Sequence, residues 1–404
     1  MRLKFDKVFY IKIFFAFLIT SLIIFLSKDN IIWSNFWSSL RIPPNYIAFS
    51  DFKAHVYFLE CFNQNIDIYN EECYLINEGN AKISSHPKIW IYLFDFLNLD
   101  KVNFFNCSVF ILLFFYFFFL LDYLKKFQKS SHKFFFFLLF FSTTNFILIE
   151  RLSTDIVIFL ITYMLIISNK KIIHIILIYL GFFLKYFPIF LCSVFLQNKK
   201  ILFSLILSFI FLVMIFYLKN LDKINNNIVE MALPIAYGSR TMLKAAYHLS
   251  EEYNLFLNKD NLVFFRYLVV VFFAVYSLFL ILIGYNNSNK INLDVDFDKD
   301  FIIGASVFVG TYIIGSNADY RLIFLLFTIP LIFNLKNRLI QISLLLSIFL
   351  SFNSFYFLIG DKLSIIFFMS STFIFLLKFI IFSFISLIIG SQLRSINFFR
   401  INNV

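Results

Sequence analysis

Two kinds of charged residue interrupt an otherwise apolar chain, and they suit opposite ends of one reaction. Ser50-Asp51-Phe52-Lys53-Ala54-His55 sets a single carboxylate among small and aromatic residues. A carboxylate held in such a place can take the proton of a hydroxyl as a general base. Arg151, Lys185, Arg240, Arg321 and Lys362 supply cations. Arginine grips phosphate oxygens through paired N–H groups and lysine acts as a point charge, so these cations suit the phosphate of a lipid carrier and would stabilise it as it departs. Around them lie His86, Glu150, Asp155, Tyr186, Asp319 and Tyr320. Plainer structural readings stand beside each of these. Asp51 can be a solvated acid, and Glu150, Arg151 and Asp155 can pair with one another at a helix junction. Lys185 can snorkel from a lipid face, Asp319 and Arg321 can form a salt bridge closing a tight turn, and His86 can be a loop residue or helix cap. The histidines show no metal-ligand spacing, and the chemistry outlined needs neither metal nor cofactor.

The elements that must position these residues are membrane helices. Hydrophobic residues make up 61% of the chain and charged residues only 15%, with a mean hydropathy of +0.84, and apolar runs long enough to cross a bilayer recur throughout. The composition excludes a soluble core and predicts an all-α polytopic membrane protein, a single integral membrane domain over residues 1–404. The net charge of +11 is no nucleic-acid signal, because the lysines and arginines sit in short inter-helix turns, where they report topology. The 64 phenylalanines read as lipid-facing filler, interchangeable with Ile and Leu against acyl chains.

Arg2, Lys4 and Lys7 precede the first apolar run, Val8 to Leu26, which lacks a small-residue cleavage site and reads as a retained anchor with a cytoplasmic N-terminus. The polar interval 28–102 then falls outside, with nine carboxylates against six Lys or Arg. Within it, Ile89 to Leu97 is too short to span and predicts an interfacial helix after His86-Pro87. Cys61 and Cys73 share this interval and are either bridged or free. Lysine clusters place later turns inside, and the run 172–196, flanked by lysines and broken at Lys185-Tyr186-Phe187-Pro188, predicts a helical hairpin of two short limbs. A second outer loop covers about 219–261. Asp319 to Arg321 and Asp361-Lys362 fall on outer turns, and Lys378 marks the inner end of the last run. The tally is roughly twelve crossings with both termini cytoplasmic. By this assignment every cluster that is not a lysine turn faces the same leaflet. A charge at the centre of a span costs about 2.5 to 3.5 kcal/mol, so most of them sit at helix ends.

Several of these clusters resemble the GT-C class of polyprenyl-phosphate-sugar-dependent glycosyltransferases, especially the mannosyltransferase-like bacterial glycosyltransferase family 87. Asp51 matches the outer-loop position of that family's proposed catalytic acid, and His86-Pro87 resembles its proline-containing loop before a short hydrophobic helix. Glu150-Arg151 followed by Asp155 is similar to an E-R-G-N-x-D element, Lys185-Tyr186-Phe187-Pro188 to a K-x-x-P element, and Asn317-Ala318-Asp319-Tyr320-Arg321-Leu322 to an N-x-D-Y-R-L element. Leu152 and Ser153 replace the Gly-Asn of the second element, and Lys88 stands where a second proline is common. The resemblance implies a GT-C-like fold and transfer of a mannose-like hexose from a polyprenyl-phosphate donor to a lipid or glycan acceptor on the outer face, with inversion and without metal. The candidate site read from these clusters has Asp51 as base, Arg151, Lys185, Arg240 and Arg321 on the donor phosphate, and His86, Glu150, Asp155, Tyr186, Asp319 and Tyr320 in support.

Two other function classes share these features. A transporter or flippase would carry broken helices meeting near the midplane, for which Lys185 is the one candidate in the sequence. A polysaccharide ligase or polymerase using a diphosphate-linked donor would share the cationic leaflet and the large outer loop. The two outer loops lack Asn-x-Ser/Thr, which favours a bacterial cytoplasmic membrane.

Overall fold

The structure, a computed structural model, describes residues 7–45, 47–69, 73–74, 81–82, 87–212, 236–241, 259–291, 293, 295–315, 317–358 and 365–398. His86, Asp361, Lys362 and most of the second polar loop lie outside the described residues. The chain divides into two compact units, one comprising Met1–Lys133, Phe146–Tyr186 and Leu207–Ile228, the other Phe134–Asn145, Phe187–Ile206 and Val229–Val404.

In the first unit, α1 (Lys7–Leu26) is apolar on every side, and Phe14, Phe17 and Phe25 remain exposed, as a lipid-facing helix requires. It packs on α5 (Val102–Tyr123) through edge contacts of Phe9 with Phe118 and Phe17 with Phe110. Asp122 ties three helices together. Lys12 of α1 reaches its carboxylate at 2.9 Å, Lys125 binds it as well, and Tyr163 of α8 (Asp155–Ile167) donates its hydroxyl. Three donors on one carboxylate satisfy a charge that bare apolar packing could not hold.

The interval 28–102 is more structured than its composition indicates. Asp29 caps α2 (Asn30–Ser39) by accepting from the backbone N–H groups of Ile31 and Ile32. Next come α3 (Ser50–Asn63), a short antiparallel ladder of β1 (Cys73–Tyr74) with β2 (Ala81–Lys82), and α4 (Ile89–Phe96). Only α4 was legible in the hydropathy, because α2 and α3 mix apolar and polar residues. The i,i+4 spacing of Trp33 and Trp37, both buried and in edge contact, was the available signal for α2. Cys61 and Cys73 form a disulfide that joins α3 to β1.

The apolar run 134–149 lies in two helices, α6 (Ser130–Phe140) and α7 (Thr143–Arg151), bent by 46°. The bend has a chemical cause: Asn145 donates its side-chain amide to the carbonyls of Leu139 and Phe140, satisfying groups at the end of α6. The predicted break at Lys185 is present. α9 (Lys171–Leu184) ends there, and a 3-10 helix runs from Phe187 to Phe195 before α10 (Lys199–Leu212).

The second unit is built on α11 (Lys259–Asn287), α12 (Lys299–Ile314) and, at the end of the described chain, a helix from Ile365 to Ser395. α12 is buried along nearly its whole length, and Asp298 caps its start by accepting from Phe301 N–H. Two 3-10 helices pack on it, Phe187–Phe195 and Asp319–Thr328. The second of these covers the first half of the apolar run 322–335, and only Ile329–Ile332 (α13) is α-helical there. Asn337 then caps α14 (Arg338–Phe352), which is followed by α15 (Ser354–Phe357). The Ile365–Ser395 helix (α16) lies against α11 with reciprocal close approaches. Gly284 meets the Leu387 carbonyl, Gly390 meets the Ile281 carbonyl, and Ser277 pairs with Ser386. Small residues that let two backbones touch are how apolar helices associate where no hydrophobic force separates them from lipid.

Among the described residues four helices are long and apolar enough to cross a membrane, or five if the bent pair counts as one span, which supports the all-α membrane class and does not confirm the count of twelve. α8, α9 and α14 are apolar but shorter. One expectation needs correction: phenylalanine is not mainly lipid-facing filler. Phe94, Phe117, Phe136, Phe159 and Phe182 are among the largest fully buried side chains.

Candidate functional site

Within the first unit the sequence elements singled out above close into a ring. α7 ends on a Schellman arrangement: Ser153 N–H donates to the Leu148 carbonyl and Leu152 N–H to the Ile149 carbonyl. Leu152 therefore takes the left-handed conformation, with φ 46°. This is the position where the resembled element carries glycine. An L-residue costs about 1 to 2 kcal/mol there, and the Leu152 side chain, fully buried, offsets that cost by packing. The turn leaves Glu150 and Arg151 at the end of α7 and places Asp155 at the start of α8.

Glu150 is wholly buried and organises the start of the Asp51 helix. Its Oε1 accepts from Asn45 N–H at 2.8 Å, and its backbone carbonyl accepts from Phe49 N–H at 3.1 Å. Asn45 also donates its side-chain amide to Ser50. Phe49 precedes α3 with φ 59°, a second buried apolar residue held in the left-handed region. Asp51, in the first turn of α3 and half-buried, lies within electrostatic range of Glu150. The Arg151 Nε is 3.8 Å from Glu150 Oε2, and Arg151 remains partly exposed.

The other arc of the ring runs through α4. His55 of α3 stacks on Trp90 of α4 with centroids 5.1 Å apart, and the Trp90 indole N–H donates to the Leu184 carbonyl at 2.9 Å. The next residue, Lys185, is extended and buried, and its ammonium meets Asp155 Oδ1 at 2.9 Å. Ser153 donates to the other oxygen of Asp155, at 3.2 Å. Tyr186 is 38% exposed at the tip. Asp51, Glu150, Arg151, Asp155 and Lys185 thus belong to one connected cluster. The Lys185 ammonium is engaged by Asp155, which makes Lys185 a brace between the end of α9 and the start of α8. Pro87 precedes α4, and His86 lies outside the described residues.

The second unit carries the remaining candidates. β3 (Ala236–Tyr237) pairs antiparallel with β4 (Asn317–Ala318), which brings the segment of Arg240 beside that of Arg321. Gly238 has φ 111° and lies against the Gly315 carbonyl, so no side chain fits there. Ser239 then donates to the Ile313 carbonyl, and the Arg240 Nε is buried without a hydrogen-bond partner. Arg321 donates to Asn317 Oδ1, and its guanidinium lies 5.1 Å from the centroid of the Phe187 ring. Tyr320 is buried beside it.

Asp319 does not close a turn with Arg321, as the plainer sequence reading had it. Both its oxygens accept from Lys378, at 2.6 and 2.8 Å, and Oδ2 also accepts from Ser354. Lys378 therefore does not mark a helix end. It sits fully buried within α16, which continues to Ser395. Sequence reasoning missed Asn45, Trp90, Ser354 and this role of Lys378. The signal for Lys378 was present, since it is the only charged residue between Lys362 and Arg394, and an ionisable group within a span is functional by default.

Among the described residues no group of three or more His, Cys, Asp or Glu side chains is placed to hold a metal ion. A cleft in the second unit, lined by Asp296, Asp298, Asn334 and Lys336, contains none of the candidate residues. No protein-family model, no curated protein and no solved structure matches this chain.

Proposed function

We propose that this is a membrane-embedded glycosyltransferase that moves a mannose-like hexose from a polyprenyl-phosphate carrier to a lipid or glycan acceptor, at the outer face of a bacterial cytoplasmic membrane. The observation that supports the reading best is the closed ring of the first unit. Four stretches far apart in sequence, around Asp51, Trp90, Glu150–Asp155 and Lys185, meet through two hydrogen bonds, an ion pair and the His55–Trp90 stack. Polar groups taken out of water in this way are costly unless they fix the position of a working group. The group it fixes is the start of the helix that bears Asp51.

In the proposed reaction the Asp51 carboxylate takes the proton of the acceptor hydroxyl. The hydroxyl oxygen bonds to the anomeric carbon of the donor, and the bond from that carbon to the phosphate oxygen breaks. The electron pair leaves with the polyprenyl phosphate, and Arg151 offsets its charge. The Cys61–Cys73 disulfide supports an oxidising compartment for the polar interval 28–102, the same side that the lysine-bearing turns assign to it.

The test is incubation of the purified protein with labelled polyprenyl-phosphate sugars and a lipid extract, with the product identified. Wild type is expected to yield a labelled glycoconjugate, and Asp51→Asn to insert normally and yield none. Turnover by the Asn variant would remove Asp51 from the chemistry. Movement of label across the bilayer with no covalent product would instead establish the transporter or flippase reading. Use of diphosphate-linked donors alone would establish a ligase or polymerase.

A further inference from the structure

The cleft of the second unit lies where two spans end side by side. α11 and α16 are each long and apolar enough to cross a membrane. Arg394 in the last turn of α16 donates to the hydroxyl of Ser288, just past the end of α11, at 2.7 Å, so both helices finish on the same face. Ser395, the last residue of α16, lines the cleft, and the loop that follows α11 forms one of its walls. Residues at the end of a span lie at the level of the lipid headgroups.

Hydrogen bonds from fixed side chains hold the cleft in shape. Its volume is about 400 Å³, within the range of small-molecule sites. Gln392, fully buried near the end of α16, grips the loop twice: its amide donates to the Asp296 carbonyl and its side-chain oxygen accepts from Asp298 N–H, each at 3.2 Å. Ser391 donates to the Leu293 carbonyl. Asn337 donates to the Ile291 carbonyl at 2.9 Å, which fastens the turn that carries Lys336 to the same loop. The wall with Asp296 and the wall with Lys336 are therefore tied together before any ligand arrives.

The charges of the two walls are opposite. Between Tyr285 and Asp300 four aspartates stand against two lysines. Two of them serve α12, since Asp298 caps its start and Asp300 lies in its first turn, where the helix dipole favours a carboxylate. Asp294 lies outside the described residues. Asp296 is the one that lines the cleft without a part in the helix, and it is exposed. Lys336 is exposed on the other wall, and among the described residues neither of the two makes an ion pair. Asn334 donates its amide to the Pro330 carbonyl at 3.1 Å, which leaves its side-chain oxygen as an acceptor. Val295, Phe297 and Leu331 supply the apolar lining.

We propose that this cleft binds the headgroup of a phosphoethanolamine lipid, with the ammonium on Asp296 and Asn334, the phosphate on Lys336, and the glycerol and first acyl carbons against Val295, Phe297 and Leu331. A primary ammonium has three N–H groups to donate, and a lysine ammonium attracts phosphate as a point charge. A phosphocholine headgroup has no N–H to give, and Phe297 alone makes no aromatic cage for it. A phosphoglycerol headgroup brings negative charge to Asp296 with no ammonium to meet it. This site is independent of the transferase reading.

The test follows the full-length protein in detergent by native mass spectrometry and thermal shift. The probes are three lipids with identical acyl chains, bearing phosphoethanolamine, phosphocholine or phosphoglycerol, and soluble glycerophosphoethanolamine. Wild type is expected to prefer the phosphoethanolamine lipid over the other two by about tenfold, the scale of one or two charge-assisted hydrogen bonds. Asp296→Asn is expected to bring that lipid down to the level of phosphocholine. Lys336→Gln is expected to weaken all three lipids and to keep their order. Both positions are exposed, so both variants are expected to fold as wild type does. Wild type without a headgroup preference overturns the proposal, as does D296N that retains it or K336Q that binds all three lipids unchanged. Soluble glycerophosphoethanolamine that competes as well as the lipid assigns the cleft to a free zwitterion and overturns the lipid assignment.

Discussion

Leu152 shows how one side chain can occupy a backbone role written for another. Its neighbours complete the two hydrogen bonds of a Schellman turn, and its φ of 46° is the value that glycine adopts without strain. Two opposing terms decide what mutation does. Leu152→Ala keeps the backbone strain and loses a buried leucine, a cost of about 2 to 5 kcal/mol. Leu152→Gly removes one carbon more but relieves about 1 kcal/mol of strain, so it is expected to melt above the alanine variant in detergent. An alanine variant that melts above the glycine variant would contradict the left-handed turn. At the same scale, Arg321→Ala removes the guanidinium that Asn317 and Phe187 orient. It is expected to lower the thermal midpoint by a few degrees through loss of those two contacts, and an unshifted midpoint would mean that Arg321 does not brace this segment.

Helix pairs and loops carry predictions of their own. α11 and α16 touch at two glycines whose missing Cβ atoms would each lie 2.0 Å from a carbonyl oxygen of the other helix. Because the obstacle is backbone, neither helix can yield by turning a side chain. Gly390→Ala is expected to destabilise the pair by about 1 to 3 kcal/mol and to lower the thermal midpoint, and an unshifted midpoint would mean that the helices are further apart. In the first unit the disulfide spans a sequence separation of 12. Closing a loop of that size contributes about 3 kcal/mol. Cys61→Ser with Cys73→Ser is expected to lower stability to denaturant by about that amount, and reductant is expected to destabilise the wild type and leave the variant unchanged. These short elements were poorly legible in the sequence. α3 has no long apolar run, and the apolar run after Asp319 reads as an α-helix yet forms a 3-10 helix as far as Thr328, packed on α12.

For the molecule as a whole, topology is where sequence and structure speak to different questions. In the proposed topology the regions of Asp51, Arg151, Lys185 and Arg321 lie on the non-cytoplasmic side. Cysteines introduced beside these four are expected to react with an impermeant reagent added from outside, and labelling of any two only from the cytoplasm would end the proposed function. Composition and hydropathy were sufficient for the all-α membrane class and for the long spans α1, α5, α11 and α16, because an apolar run in lipid has no alternative to a helix that satisfies its own backbone. They were sufficient, too, for the break at Lys185, since a charge beside a proline cannot continue an apolar helix. Pairing was beyond them. That Asp319 takes Lys378 and not Arg321, that Lys185 takes Asp155, and that Trp90 reaches the Leu184 carbonyl depend on which buried groups meet across the fold. A buried charge takes whichever partner the packing brings within about 3 Å, and only the tertiary structure specifies that neighbour.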